Sequence, residues 1–288
     1  MPHSPLSTPS ATLAALKRHG LATKKALGQH FLVDDNTVGR ILDLAALSGD
    51  EVVLEVGPGI GTLTAALCKH AGAVVAIERD ADLMLALAET AANCPRLAVL
   101  RADAVAVSPE AVAEPFGPPV ALVANLPYAV AATVVLRFFE EIPSLRSATV
   151  MLQSEVAARM AASPGGKAYG SYTVKLHLMA RPAGRFAVSR NCFLPPPRVD
   201  SAVLRLERVS LVADPQVRRD AARTAEAAFA ERRKTVRNSL RSVLGAEPSA
   251  LDVALEAAGI DGRLRAETLS PERFVRLAIA LRAGGILG

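Results

Sequence analysis

Val52-Val53-Leu54-Glu55-Val56 runs without a break into Gly57-Pro58-Gly59-Ile60-Gly61, and this junction decides the fold. A β-branched, apolar run of this length reads as a strand buried on both faces. Glycines placed directly after it let the chain turn sharply and approach a ligand closely, because no Cβ intervenes. The residues that follow, Thr62–Lys69, read as a helix, so the junction is a strand–turn–helix unit.

Outward from that unit the same alternation continues. Strands are expected over residues 73–78, 97–101, 119–125 and 148–153, with helices over 80–92 and 131–139 between them. Alternation at this spacing predicts a mostly parallel sheet covered by helices, an α/β fold of Rossmann-like type. Two more strands, over 185–189 and 202–208, bring the sheet to seven. Beyond residue 209 only helical periodicity remains, over 215–230, 249–258 and 271–282. The expected organisation is a flexible polar extension over 1–20, a catalytic domain over 21–209 and a small all-helical domain over 210–288.

Composition narrows the function classes. The chain has 288 residues, 33 Lys+Arg against 28 Asp+Glu, and a net charge of +5, which permits a nucleic-acid partner without requiring one. Basic side chains gather at Lys24 and Lys25 and again at Arg232, Arg233, Lys234, Arg237 and Arg241. The three cysteines, Cys68, Cys94 and Cys192, are dispersed and odd in number, so neither a disulfide framework nor a metal site is expected. Residues 115–136 carry no charge, but Pro115, Pro118, Pro119, Pro127 and Asn125 interrupt them, so a membrane span is not expected. The polar, Ser/Pro-rich start has no apolar signal core, which points to the cytoplasm.

Ligands on such sheets bind beyond the carboxyl ends of the strands, and the chemistry-bearing residues fall there. The spacing around the glycines is E-x-G-x-G-x-G, with Glu55 two residues before Gly57; a dinucleotide fingerprint would need G-x-G-x-x-G/A, and Thr62 stands at its last position. S-adenosylmethionine carries an α-amine and a sulfonium and no phosphate. An acid at the strand end answers that positive charge, and Gly57 and Gly59 let the methionyl part lie against backbone. Glu78, ending the second strand, can accept from both ribose hydroxyls. Asp103, after the third, can accept from the adenine amine of the cofactor or serve as an ordinary loop cap.

The fourth strand ends in Asn125-Leu126-Pro127-Tyr128. Attack by an aromatic amine on a sulfonium methyl is slow because the nitrogen lone pair is delocalised into the ring. A side-chain amide oxygen and a nearby main-chain carbonyl, both accepting from the N–H groups, favour a pyramidal nitrogen aimed at the methyl. Pro127 stiffens the loop. Tyr128 offers a face for base stacking, worth about 1–3 kcal/mol per base.

With KKALGQHFL (24–32), LEVGPGIGTLT (54–64), ANLPY (124–128), FLPPPRVDSAVLRL (193–206) and ERRKTVRNSL (231–240), the chain resembles the ribosomal RNA adenine N6,N6-dimethyltransferases of the small subunit over roughly residues 20–283. The resemblance implies cofactor contacts at His30, Leu32, Gly57, Glu78, Asp103 and Asn125. It also implies that Phe193 stacks on the target base opposite Tyr128, and that Lys24, Lys25, Arg232, Arg233, Lys234 and Arg237 meet RNA phosphates. The implied reaction is dimethylation of two adjacent adenines in the 3′-terminal hairpin loop of 16S rRNA, within the pre-30S subunit, by a monomer without a metal. The family often has Asn where His30 stands and Ile where Val56 stands. Three other readings stay open: the sister family acting on large-subunit rRNA, an RNA-binding assembly factor without turnover, and a nicotinamide-dependent oxidoreductase.

Overall fold

The computed structural model describes residues 2–21 and 29–287, and the chain divides into two compact units, Met1–Ala157 with Pro182–Arg208, and Ala158–Arg181 with Val209–Gly288. The first unit opens with α1 (Pro9–Arg18), β1 (Phe31–Leu32) and α2 (Asp35–Ala45). The alternation then follows as β2 (Val52–Val56), α3 (Thr62–His70), β3 (Ala73–Glu78), α4 (Met84–Ala91), β4 (Leu97–Arg101), α5 (Pro109–Ala113), β5 (Ala121–Asn125), α6 (Ala131–Glu141) and β6 (Ser147–Gln153). Then come α7 (Ser154–Met160), α8 (Ser171–His177), β7 (Ala180–Val188), β8 (Phe193–Leu194) and β9 (Ser201–Arg208).

Among the described residues seven strands form one sheet, the number and mostly parallel character expected from the alternation, in the order β4-β3-β2-β5-β6-β9-β7. The pairs β2–β3, β3–β4, β2–β5 and β5–β6 are parallel, and β9 returns antiparallel to β6 with Gln153 opposite Ser201. Strand order reverses between β2 and β5, where the crossovers leave in opposite directions. A crevice therefore opens beyond the carboxyl ends of these two neighbours. Gly57 and Asn125 sit at those ends.

Apolar residues explain why the sheet lies in the middle. Val53, Leu54, Val75, Ala76, Leu122 and Val123 are almost wholly buried, as both-face cover of central strands requires. Helix α2 is capped by Asp34, whose carboxylate accepts from Thr37 N–H at 2.9 Å. It buries Val38, Ile41 and Leu42 in the same core as Leu63, Leu67 and Phe193. Among the described residues no helix is long and apolar enough to cross a membrane.

Four expectations need correction. The N-terminal segment is not a loose extension: Asp35 accepts from the main-chain N–H groups of His3 and Ser4 at 3.1 Å and from the Ser7 hydroxyl at 2.6 Å. Helix α1 then packs Ala15 and Leu16 on Phe31, Ile60 and Leu83, and His19 meets Glu89 at 2.8 Å. Second, Cys68 and Cys94 form a disulfide with their Cα atoms 5.8 Å apart, because the turn after α4 brings Cys94 beside α3. Sequence separation hid that proximity. Third, β7 starts five positions before the expected strand; its Arg181, Pro182 and Arg185 are not buried, so no apolar alternation marks the outer strand.

The fourth correction concerns the second unit, which takes in residues 158–181 as well as the C-terminal helices. These are α9 (Pro215–Phe229), α10 (Val236–Leu244), α11 (Pro248–Ala257) and α12 (Pro271–Ala283). Tyr169 explains the assignment. Its hydroxyl donates to the Leu269 carbonyl at 2.9 Å, and its ring meets Phe229, which in turn meets Phe274. Within this unit Arg282 pairs with buried Asp220 and holds the Asp220 carboxyl below the usual range.

Candidate active site

A cavity of about 610 Å³ opens at the carboxyl ends of β2, β3 and β5. His30, Leu32, Glu55, Gly57, Gly59, Glu78, Asp103, Asn125, Leu126, Pro127 and Tyr128 all line it. The strand-end residues expected from sequence therefore share one wall system within the first unit.

The glycine loop is shaped by close approach. Gly57 has φ of +69°, and a Cβ there would stand 3.1 Å from Cδ of Pro127. Gly59, at φ +64°, faces the Phe31 ring at 3.2 Å in the same sense. Any side chain at Gly57 would thus press the glycine loop against the Asn125–Tyr128 loop.

Three acids surround the loop with different electrostatics. Glu55 is 1% exposed, and burial pushes its carboxyl up to about 8, with the Thr64 hydroxyl opposing and the neighbouring Glu78 reinforcing. Among the described residues its Oε2 is buried without a hydrogen-bond partner, an acceptor that a cationic or N–H-bearing ligand would satisfy. The Glu78 carboxylate accepts from Gly59 N–H at 3.2 Å and Asp80 N–H at 2.8 Å, which fixes it across the loop. Burial raises the Glu78 carboxyl above its usual range despite those bonds. Asp103 accepts from Val105 N–H at 3.0 Å and lies 3.4 Å from the Arg79 guanidinium, partly exposed at the rim.

The opposite wall is tied together by a pairing that periodicity could not reveal. β1 and β8 form a two-stranded antiparallel sheet, with Phe31 opposite Leu194 and Leu32 opposite Phe193. Next to it, His30 Nδ1 lies 2.8 Å from the Pro195 carbonyl oxygen. A carbonyl only accepts, so Nδ1 carries the proton. The main-chain oxygen of His30 in turn accepts from Asn125 Nδ2 at 3.3 Å. Tyr128 is held at its tip by Ser201, with the two oxygens 2.6 Å apart, and its ring lies near-parallel to that of His30 at 5.9 Å between centroids. A base between two rings needs about 7 Å, so none fits between these two as they stand. Burial raises the Tyr128 phenol above its usual value, with the Ser201 bond opposing, so it remains neutral.

Phe193 is not where the resemblance places it. It is 2% exposed and packed with Leu32, Val38 and Ile41, and it does not line the cavity. The cross-strand pair with Leu32 turns the ring into the core. Conversely, Gln29, Arg79, Val130 and Gln153 line the cavity and were not among the expected site residues. Gln153 ends β6, so the strand-end rule applied to the fifth strand would have found it.

In the second unit the basic segment is a turn followed by α10. Arg232, Arg233 and Lys234 lie ahead of α10 with Arg232 and Arg233 exposed, and Lys234 pairs with Glu231 at 2.7 Å. Arg237 is committed to Asp252, with Nη2 to Oδ2 at 2.7 Å. Lys24 and Lys25 lie outside the described residues.

Residues 20–282 match the family described as ribosomal RNA adenine dimethylase. The chain belongs to that family. Its fold is therefore that of a family of methyltransferases. Among curated relatives, a "Ribosomal RNA small subunit methyltransferase A" of Rhodococcus erythropolis is 42% identical, covering 96% of this chain and 97% of the relative. One of the same name from Leifsonia xyli is 45% identical, covering 90% and 92%. Among solved structures, the 23S rRNA methyltransferase ErmE is 29% identical with a TM-score of 0.67, covering 88% of this chain and 99% of that one. A dimethyladenosine transferase from Plasmodium falciparum, at 23% identity and a TM-score of 0.76, covers 89% and 98% and shares the fold.

Proposed function

We propose that the protein uses S-adenosylmethionine to dimethylate N6 of two adjacent adenines in the 3′-terminal hairpin loop of 16S rRNA. It would act as a monomer on the pre-30S particle, in the cytoplasm. The observation that carries this reading is the abutment of Gly57 on Pro127, which sets a loop suited to the cofactor directly beside a loop suited to an aromatic amine. Names of relatives at 42–45% identity favour the small subunit over the large one.

The residues present fit the cofactor. Glu55, with its unpartnered Oε2, would take the α-amine; Glu78 would take the ribose hydroxyls, Asp103 the adenine amine, and the backbone at Gly57 and Gly59 the methionyl part. His30 and Leu32 would close the site from the side of β1. Bound there, the cofactor supplies a sulfonium methyl as electrophile.

What remains is positioning, and the chain's own groups do it. Because Asn125 Nδ2 is turned to the His30 oxygen, Oδ1 is the atom left to accept from the target N6–H. The Pro127 oxygen already accepts from Val130 and Ala131 N–H at 3.1 Å, so the second acceptor would be the Leu126 oxygen. Two acceptors on one amine draw its lone pair out of conjugation. Tyr128 would stack on the extruded base. After transfer the nitrogen is acidic and sheds its proton to water, so no strong general base is needed. In the second unit, Arg232, Arg233 and Lys234 would contact phosphates, as would Lys24 and Lys25.

The test is transfer of labelled methyl groups to immature 30S particles and, separately, to 23S rRNA. Label in the 30S rRNA supports the reading. Label only in 23S rRNA would transfer the chain to the large-subunit function, and label in neither would favour a binding factor.

A further inference from the structure

We infer that Ser201 is a positioning residue for methyl transfer, acting through Tyr128. This rests on the reading that Tyr128 stacks the target base. Ser201 is the first residue of β9, fully buried, and registered against Gln153 at the end of β6. Its backbone is thereby fixed by two strands of the main sheet, behind the Tyr128 side of the cavity. The Tyr128 hydroxyl meets it at 2.6 Å.

Tyr128 itself comes from a loop, so backbone placement alone leaves the whole ring free to swing about the Cα–Cβ bond into another rotamer. The bond to Ser201 removes that freedom at the far end of the ring. The His30 ring, 5.9 Å away and tilted by 27°, restricts it from one side. A stacked base follows the ring on which it stacks, so by pinning the tip of that ring the sheet sets where N6 lies relative to Asn125 and the methyl donor.

The proposal predicts a kinetic signature. Ser201→Ala should lower kcat for methyl transfer to immature 30S particles about tenfold, since small misalignments near reacting atoms are costly in rate. Affinity for S-adenosylmethionine should stay within about twofold, because Ser201 does not line the cofactor's wall. Tyr128→Phe removes the same bond from the other side and should show a similar loss. The double variant should be no slower than the worse single, since one interaction is removed in all three. Thr149→Ala, which removes another buried hydroxyl from β6, should leave kcat unchanged.

Unchanged kcat in Ser201→Ala overturns the proposal, as do additive losses in the double variant. So does a parallel loss of cofactor affinity, which marks a merely structural role. If Ser201→Ala fails to fold, Tyr128→Phe alone decides: full kcat in that variant rejects the role. Tyr128→Ala separates the two levels of the argument. Full activity there removes the stacking reading and this inference together, whereas an inactive Tyr128→Ala beside a fully active Ser201→Ala removes only the inference.

Discussion

Asn125 donates its side-chain N–H to the main-chain oxygen of His30 at 3.3 Å, and this bond settles which end of the amide a ligand meets. The oxygen is left as acceptor, beside a glycine loop that Pro127 abuts. Asn125→Ala should reduce methyl transfer by about 100-fold or more, comparable to removing one preorganised polar group from an active site. Cofactor affinity should fall far less. Stopped-time transfer assays beside calorimetric titration with S-adenosylmethionine check both; equal losses in the two would assign Asn125 to cofactor binding alone.

Glu55 gives a prediction with a definite sign. Unfolded, its carboxyl titrates near 4.5; folded, burial first and Glu78 further raise it to about 8, against the Thr64 hydroxyl. Between these values the folded state holds a proton that the unfolded state has released, so stability from this group falls as pH rises through the window. Glu55→Gln should flatten that fall and raise the melting temperature at the alkaline end. Affinity for a cationic cofactor should run the other way in the native protein, improving up to about pH 8 as the carboxylate forms. A melting curve series that is as pH-dependent in Glu55→Gln as in the native chain contradicts this assignment.

The Cys68–Cys94 bond closes a sequence separation of 26 residues between α3, which carries the glycine loop at its start, and the turn after α4. In the chain-entropy account a loop of that length contributes about 3.5 kcal/mol. Reduction, or Cys68→Ser, should therefore lower the melting temperature by several degrees while leaving Cys192 titratable in both forms. Thiol titration of the denatured protein gives one free thiol if the bond forms and three if it does not.

Charge on the second unit divides into free and committed side chains. Arg232→Ala with Arg233→Ala should weaken RNA binding and reduce its salt dependence by about one unit of slope for each phosphate no longer neutralised. Arg237→Ala should act differently, changing the salt slope little because its guanidinium is already paired with Asp252, and costing little stability because that pair is solvent-exposed. Filter binding across a salt series distinguishes the two.

How much of this was legible before folding depends on whether the signal was local. The strand ends at Glu55, Glu78 and Asn125 were readable because a buried parallel strand is a short apolar run with a polar residue where it stops. The glycine loop was readable because spacing alone separates it from a dinucleotide turn. What could not be read is pairing. Phe31 and Leu32 make a two-residue strand with no periodicity to detect, and only its pairing with Phe193 and Leu194 defines it. The same pairing withdraws Phe193 into the core. Cys68 and Cys94, and Ser7 with Asp35, met through turns and docking that no local pattern encodes.

Mass spectrometry of rRNA from cells with and without the gene identifies the modified nucleotides themselves. Two adjacent N6,N6-dimethyladenosines near the 3′ end of 16S rRNA are expected with the gene, and two unmodified adenines without it. Identical 16S spectra in the two strains, or a difference confined to 23S rRNA, would contradict the proposed function.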